Sequence, residues 1–133
     1  MKKLLILVTL ISSLMMPSLA HAKWTKVAEN VKGDTYYVDF ERIKKHEGLV
    51  YYWQVTDYLK PNKYGSISSK IYSEVDCNRF RTRILNDTYY KGPMGSGTIN
   101  SSSNTPDENW TFPSPNSVSA FILKTVCNHK SMQ

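Results

Sequence analysis

The sequence predicts an α+β domain: an antiparallel sheet of about six strands, a C-terminal helix packed on one face, and one disulfide joining the two. Three observations carry that expectation. Short runs rich in Val, Ile, Tyr, Trp and Thr alternate with clusters of Gly, Pro, Asn and Asp between residues 24 and 90. A single stretch with helical spacing follows Pro113. The chain's two cysteines, Cys77 and Cys127, fall on the inner side of a strand and on the apolar arc of that helix.

Residues 1–22 read as a secretory leader. Lys2 and Lys3 precede an apolar run from Leu4 to Met16, and Pro17 leads to the small-residue exit Ala20-His21-Ala22. That run is well short of the roughly 20 residues that cross a bilayer, so cleavage near Ala22 is expected rather than anchorage. The mature chain is expected to be one domain, residues 23–133, exported to the periplasm or secreted. It carries no cysteine for a lipid anchor at the cleavage site. Without Lys2 and Lys3, the 17 basic residues become 15 against 11 acids, a net charge of +4. Two cysteines in an oxidising compartment are expected to pair.

Trp24–Ala28 and Thr35–Asp39 form a hairpin across the turn residues Asn30 to Asp34. Phe40–His46 has Ile43 as its only aliphatic and three cations, which predicts a turn or short helical segment ending at Gly48. Leu49–Tyr58 is the strongest strand, and its periodicity favours Leu49, Tyr51, Trp53 and Val55 as the core face. After Pro61, Asn62 and Gly65, a strand from Ser66 to Cys77 places Ile67, Ile71, Val75 and Cys77 inward and Lys70, Tyr72, Glu74 and Asp76 outward. The next strand, Asn78–Tyr90, carries Arg79, Arg81 and Arg83 at alternate positions, facing water together. Residues 91–104, rich in Gly, Ser and Asn, read as a loop with a short strand near Thr98. Ser114 is placed to cap and Pro115 to open a final helix with Val118, Phe121, Ile122 and Val126 at its apolar centre.

The order of these features resembles the surface-adhesin protein E family of small exported bacterial domains. The likeness runs through Trp24, Tyr36-Tyr37-Val38-Asp39, Val50 to Trp53, Asp57-Tyr58, Glu74-Val75-Asp76-Cys77, Met94-Gly95-Ser96-Gly97, Trp110 and Val126-Cys127. It implies the same sheet and helix, and it implies adhesion, since the family's namesake is a surface lipoprotein that binds host matrix and serum proteins such as laminin and vitronectin.

Catalytic chemistry finds no foothold in the residues. His46 and His129 lack a partner at metal-ligand spacing, no Gly-x-Ser-x-Gly elbow occurs, and Gly95-Ser96-Gly97 lacks the Lys and Ser or Thr of a phosphate loop. Asp107-Glu108, and Glu74 with Asp76, are expected to be solvated rather than a catalytic pair. The expectation is therefore a non-enzymatic domain with no cofactor and no metal. The candidate site is the stripe Arg79, Arg81 and Arg83 with Lys70, whose cations suit sulfate, phosphate or carboxylate. The competing reading of that stripe is a solvated strand face that discourages edge pairing. A protein or anionic glycan is the expected partner; export separates the domain from nucleic acid, and no oligomeric state is assigned. The alternative roles are a periplasmic accessory or inhibitor of an envelope component, and a hydrolase whose site the sequence does not reveal.

Overall fold

Alternating side chains become a seven-stranded antiparallel sheet in the computed structural model, which describes residues 22–130. The expected leader lies outside the described residues, apart from Ala22. The strands are β1 (Thr25–Glu29), β2 (Thr35–Val38), β3 (Lys44–His46), β4 (Leu49–Asp57), β5 (Ser68–Asp76), β6 (Arg81–Tyr90) and β7 (Ile99–Ser103). Helix α1 (Val118–Asn128) follows. Across the sheet the order is β1-β2-β4-β5-β6-β7, and β3 pairs with β4 on the same side as β2.

The segment expected to be a turn or short helix is divided in two. Phe40–Arg42 is a single helical turn capped by Asp39, whose Oδ1 accepts from the Glu41 amide at 3.1 Å. Lys44–His46 is instead an edge strand, because Glu47 and Gly48 both adopt positive φ and make a two-residue hairpin turn straight back to β4. The arginine-bearing strand also starts later than expected. Residues 77–80 form a turn with Phe80 at φ 52°, which leaves Arg79 ahead of β6.

The core lies between one sheet face and α1. Val38, Val50, Tyr52 and Val75 from the sheet, with Ile43, meet Ile122, Leu123 and Val126 of the helix. On β5 the inward side is the expected one, since Val75 stands opposite Val50 and Cys77 packs against the cluster. On β4 the expectation is reversed: Val50 and Tyr52 face the helix, and Tyr51 and Trp53 face away. The helix itself is capped by Ser117, not Ser114, its Oγ accepting from the Ala120 amide at 3.1 Å. Asn116 at φ 61° breaks the backbone just before it. Phe121, expected at the apolar centre, is half exposed, because it lies a full 100° step outside the arc of Ile122, Leu123 and Val126.

Two kinds of link fix this arrangement. Cys77 and Cys127 are bonded, with Cα atoms 5.8 Å apart, and tie the last turn of α1 to the end of β5. Across β5 and β6, Asp76 stands opposite Arg81 and Glu74 opposite Arg83. Both acids, expected to be solvated, are buried, at 8% and 4% exposure. Arg81 Nε lies 3.1 Å from Asp76 Oδ2, the Arg79 amide donates to Asp76 Oδ1 at 3.1 Å, and Arg83 Nε is paired with Glu74. A one-residue slip would send both carboxylates to the opposite face, so the pairs specify register. Desolvation alone would raise the Asp76 carboxyl, but the Arg79 amide and the Arg81 guanidinium outweigh it and hold it below its ordinary value.

Reducing the disulfide, or Cys77→Ser with Cys127→Ser, releases the 50-residue loop that the bond closes in the unfolded chain and is expected to lower stability by about 4 kcal/mol. Urea midpoints with and without reductant measure it, and coincident curves would contradict the clamp. The depressed Asp76 carboxyl contributes stability above its unfolded value of 3.8 that is lost as pH falls through the lower folded value. Asp76→Asn should therefore be less stable than the parent at neutral pH, with the gap closing as the buffer is acidified below that value. A gap that stays constant with pH would assign the effect to packing alone.

Candidate binding face

The sheet face turned away from α1 carries no helix among the described residues. Register places Tyr51, Trp53 and Val55 of β4 on it, beside Lys70, Tyr72, Glu74 and Asp76 of β5 and Arg81 and Arg83 of β6. Three further elements contribute. Trp24 enters just ahead of β1, Arg42 comes from the helical turn after β2, and Trp110 lies on the segment that runs along the outer side of β6. That segment is held by paired bonds between Thr82 and Thr111, at 2.9 and 2.8 Å, and by the Asp107 amide donating to the Ile84 carbonyl at 2.8 Å. Near the hairpin end, the turn Pro93–Gly95 folds back onto the face, where the Met94 amide donates to Asp57 Oδ1 at 2.9 Å and the Gly95 amide to Ser68 Oγ at 2.8 Å.

The aromatic rings and cations interleave into a belt. Trp53 stacks on Tyr72 with ring centroids 4.7 Å apart, and Tyr51 lies 6.2 Å from Tyr72 on the other side. Arg42 Cζ is 5.6 Å from both the Trp24 and the Trp53 rings, while its Nε is anchored to Asp39 Oδ2 at 2.6 Å. Lys70 Nζ lies 6.0 Å from the Trp24 ring and 5.7 Å from Tyr90. Trp110 stands over both strand arginines, with Arg81 Cζ at 4.5 Å and Arg83 Cζ at 4.8 Å. Each such contact contributes about 0.5–1 kcal/mol at a partly exposed site. Burial and the nearby Glu74 carboxylate raise the phenols of Tyr51 and Tyr72, so both remain protonated donors at neutral pH.

Of the four candidate anion-binding residues, the structure brings Arg81, Arg83 and Lys70 onto this face and leaves Arg79 exposed in the turn before β6. Arg81 and Arg83 do not stand in open water as the alternation suggested. Their side chains are 20% and 31% exposed, pinned through Nε by Asp76 and Glu74 and covered by Trp110. Among the described residues no hydrogen bond reaches the terminal nitrogens of either guanidinium. Lys70 sits at the other end of the belt, between Trp24 and Tyr90.

Sequence reasoning missed Trp24, Arg42, Trp53, Tyr72 and Trp110 as parts of one surface. Tyr51 and Trp53 were placed together by their two-residue spacing, though assigned inward; nothing local joins Trp24 or Trp110 to them. Among the described residues the two histidines, His46 and His129, stand apart from the belt. His46 is exposed beside Glu47, Nε2 to Oε1 3.6 Å, and His129 packs on Phe40 with centroids 5.0 Å apart. Among the described residues no three His, Cys, Asp or Glu side chains converge as a metal site, and no helix is long and apolar enough to cross a membrane.

Solved structures share this architecture at low sequence identity. Crystal form II of Haemophilus influenzae protein E superposes with a TM-score of 0.60 at 17% identity, covering 80% of this chain and 88% of that one. Protein E from non-typeable Haemophilus influenzae gives a TM-score of 0.55 at 17% identity, covering 84% and 79%. No curated protein matches the chain. The model of the family described as surface-adhesin protein E matches residues 24–128, which spans the whole sheet, the Trp110 segment and the helix through Cys127. The chain belongs to the surface-adhesin protein E family.

Proposed function

We propose that this chain is a non-enzymatic, adhesin-like binding domain, exported after cleavage near Ala22, and that it grips a protein partner through the helix-free face of its sheet. The observation that carries the reading is the belt of Trp24, Arg42, Trp53, Tyr72 and Trp110 with Arg81 and Arg83. Trp, Tyr and Arg supply most of the binding energy at protein interfaces, above all where they are desolvated together. Here the arginines are already oriented by Asp39, Glu74 and Asp76. Docking then freezes few new rotamers, which favours affinity. A host matrix protein is the partner class that family membership favours.

A second reading has its own support. Arg79 is exposed and, among the described residues, its side chain enters no salt bridge, and Arg81 and Arg83 keep their terminal nitrogens free of bonds among the same residues. Arg79 in its turn, Arg81 and Arg83 at one end of the face and Lys70 at the other offer separate cationic points for the carboxylates or sulfates of an extended acidic protein segment or anionic glycan. The alternative role, a periplasmic accessory or inhibitor of an envelope component, would use the same face with a different partner. Fractionation separates the two: an adhesin is accessible on intact cells, an accessory only after the envelope is opened.

Trp24→Ala and Trp53→Ala should each weaken capture of the partner crosslinked in the native envelope by roughly tenfold or more, with the folded circular dichroism spectrum of the parent retained at the temperature of the assay. Undiminished capture by both variants would remove the face from the binding surface. For the anion reading, Arg79→Ala with Lys70→Ala is expected to elute from heparin at lower salt. These two are preferred over Arg81 or Arg83, whose loss would strand Asp76 or Glu74 as a buried unpaired charge. Unchanged elution would dismiss the anionic partner and leave the aromatic belt untouched.

A further inference from the structure

The register gathers three hairpin turns at one end of the sheet. Glu29, Thr35, Asp57, Ser68 and Tyr90 lie on neighbouring strands in one line, so the β1–β2, β4–β5 and β6–β7 connections all project from that end. Six large apolar side chains are well exposed among the described residues, and four of them sit here. Val31 is 105% exposed, Tyr64 71%, Leu59 66% and Ile99, the first residue of β7, 57%. Lysines are interleaved with them. Lys32, Lys60 and Lys63 line, with Leu59, an open cleft of about 690 Å³ between the first two turns, and Lys63 Nζ lies 4.9 Å from the Tyr64 ring.

The acids nearby are committed elsewhere. Asp34, the one carboxylate lining the cleft, accepts from the Leu59 amide through Oδ1 and from Asn30 Nδ2 through Oδ2, both at 3.0 Å. Asp57 holds the Met94 amide and Glu29 is paired with Lys26. Asp34 and Asp57 keep their negative charge while bonded to neutral amides, and Lys32, Lys60 and Lys63 together outnumber them, so the tip carries a small positive excess.

The tip is also ordered by its own bonds. Asn30 Oδ1 accepts from the amides of Lys32 and Asp34, Asn62 Oδ1 from those of Tyr64 and Ser66, and Asn100 Nδ2 donates to the Tyr64 carbonyl and Ser66 Oγ. Gly33, at φ +88°, lets Leu59 lie against the first turn, where a Cβ would stand 2.8 Å from Leu59 Cδ2. These apolar side chains are presented by fixed turns, at a site where no core asks for them.

We infer that this end of the sheet is a docking tip for an anionic lipid surface. Val31, Leu59, Tyr64 and Ile99 enter the interfacial zone of the bilayer, and Lys32, Lys60 and Lys63 lie at the level of the headgroup phosphates. The chemistry is that of peripheral attachment, in which exposed apolar groups and a basic rim act together and neither suffices alone. Apolar exposure alone would fit a protein partner equally well. Three lysines against one carboxylate along the cleft favour a surface of phosphates. The tip lies at the opposite end of the sheet from Cys77–Cys127 and from Lys23, whose amide bonds Asp39. Docking therefore leaves the aromatic belt free, and the inference stands whether or not that belt binds a protein.

The test is co-sedimentation of the exported chain with vesicles of phosphatidylcholine alone and of phosphatidylcholine mixed with phosphatidylglycerol. Binding is expected with the mixed vesicles, at least about tenfold weaker with the neutral ones, and lost at high salt. Val31→Ser with Leu59→Ser, and separately Lys60→Glu with Lys63→Glu, should each reduce it by about tenfold while the circular dichroism spectrum and melting curve stay those of the parent. All four residues are exposed, and the lysine pair keeps the test independent of the Leu59–Gly33 contact. Failure to sediment, equal binding to both vesicles, or parental binding by both variants would overturn the inference. Displacement by inorganic phosphate at matched ionic strength would overturn it as well, by assigning the lysines to a soluble phosphate ligand.

Discussion

A helix of 11 residues has to cover a sheet wider than itself, and the bond between Cys77 and Cys127 determines where it lies. At 1.5 Å per residue the helix is about 16 Å long, whereas six strands spaced about 4.8 Å apart span roughly 24 Å. Tied to the end of β5, α1 packs over β1, β4 and the strands between and beside them, on one face only. A cleft of about 140 Å³ lined by Tyr52, Ile71, Ile84 and Ile122 marks where that cover runs out. Every apolar side chain on the opposite face must find shelter without a second layer.

The solution on that face is to let cations and rings shelter one another. Val55 is fully buried there yet belongs to no helix-side contact, and Trp53, Tyr72 and Tyr51 bury their flanks by stacking. Arg42 fills the space between Trp24 and Trp53, its stem apolar and its head on Asp39. At the other end, Trp110 lowers the water content around Arg81–Asp76 and Arg83–Glu74, which strengthens attraction within each pair while raising the cost of breaking it. Hydrophobic residues of similar volume would cover the sheet at least as well. What the ion pairs add is a single permitted alignment of β5 on β6 and a face whose functional groups are held still.

How much of this was legible in the sequence follows from the range of the forces involved. The positions of β1, β2, β4, β5 and β6, the final helix and the inward turn of Val75 and Cys77 come from periodicity and turn residues, which act over a few positions, whereas the edge strand β3 reads in the sequence as a turn or short helix. The face of β4 was read backwards for a physical reason. Leu49, Tyr51, Trp53 and Val55 outweigh Val50, Tyr52 and Gln54 in apolar bulk, and bulk marks the core only where both faces compete for the same cover. Here Tyr51 and Trp53 are served by Tyr72 and Arg42, neighbours from another strand and from a turn. The solvated reading of Glu74 and Asp76 failed in the same way, because their partners Arg83 and Arg81 lie across a hairpin whose register the sequence does not print. Arg79 shows the limit of alternation itself: the positive φ of Phe80 ends the strand pattern one residue after it.

The same geometry explains why the exposed apolar groups are so unevenly distributed. On the belt, each ring has a cation or another ring within about 6 Å, the reach of a cation–π contact, so little bare hydrocarbon is left. At the hairpin tips no such pairing is possible for Val31, Leu59 or Ile99, since aliphatic side chains offer no quadrupole for a lysine to lie on, and of the four only Tyr64 has one. Nor can the tips fold inward, because Asn30, Asn62 and Asn100 hold the turns open with bonds to their backbone amides and carbonyls. The fold thus pairs the rings of the belt with one another and with cations, and leaves Val31, Leu59 and Ile99 exposed at one end. A surface composed in that way has two faces of different chemistry, one suited to the shaped contacts of a protein and the other to the diffuse field and soft apolar interior of a lipid layer.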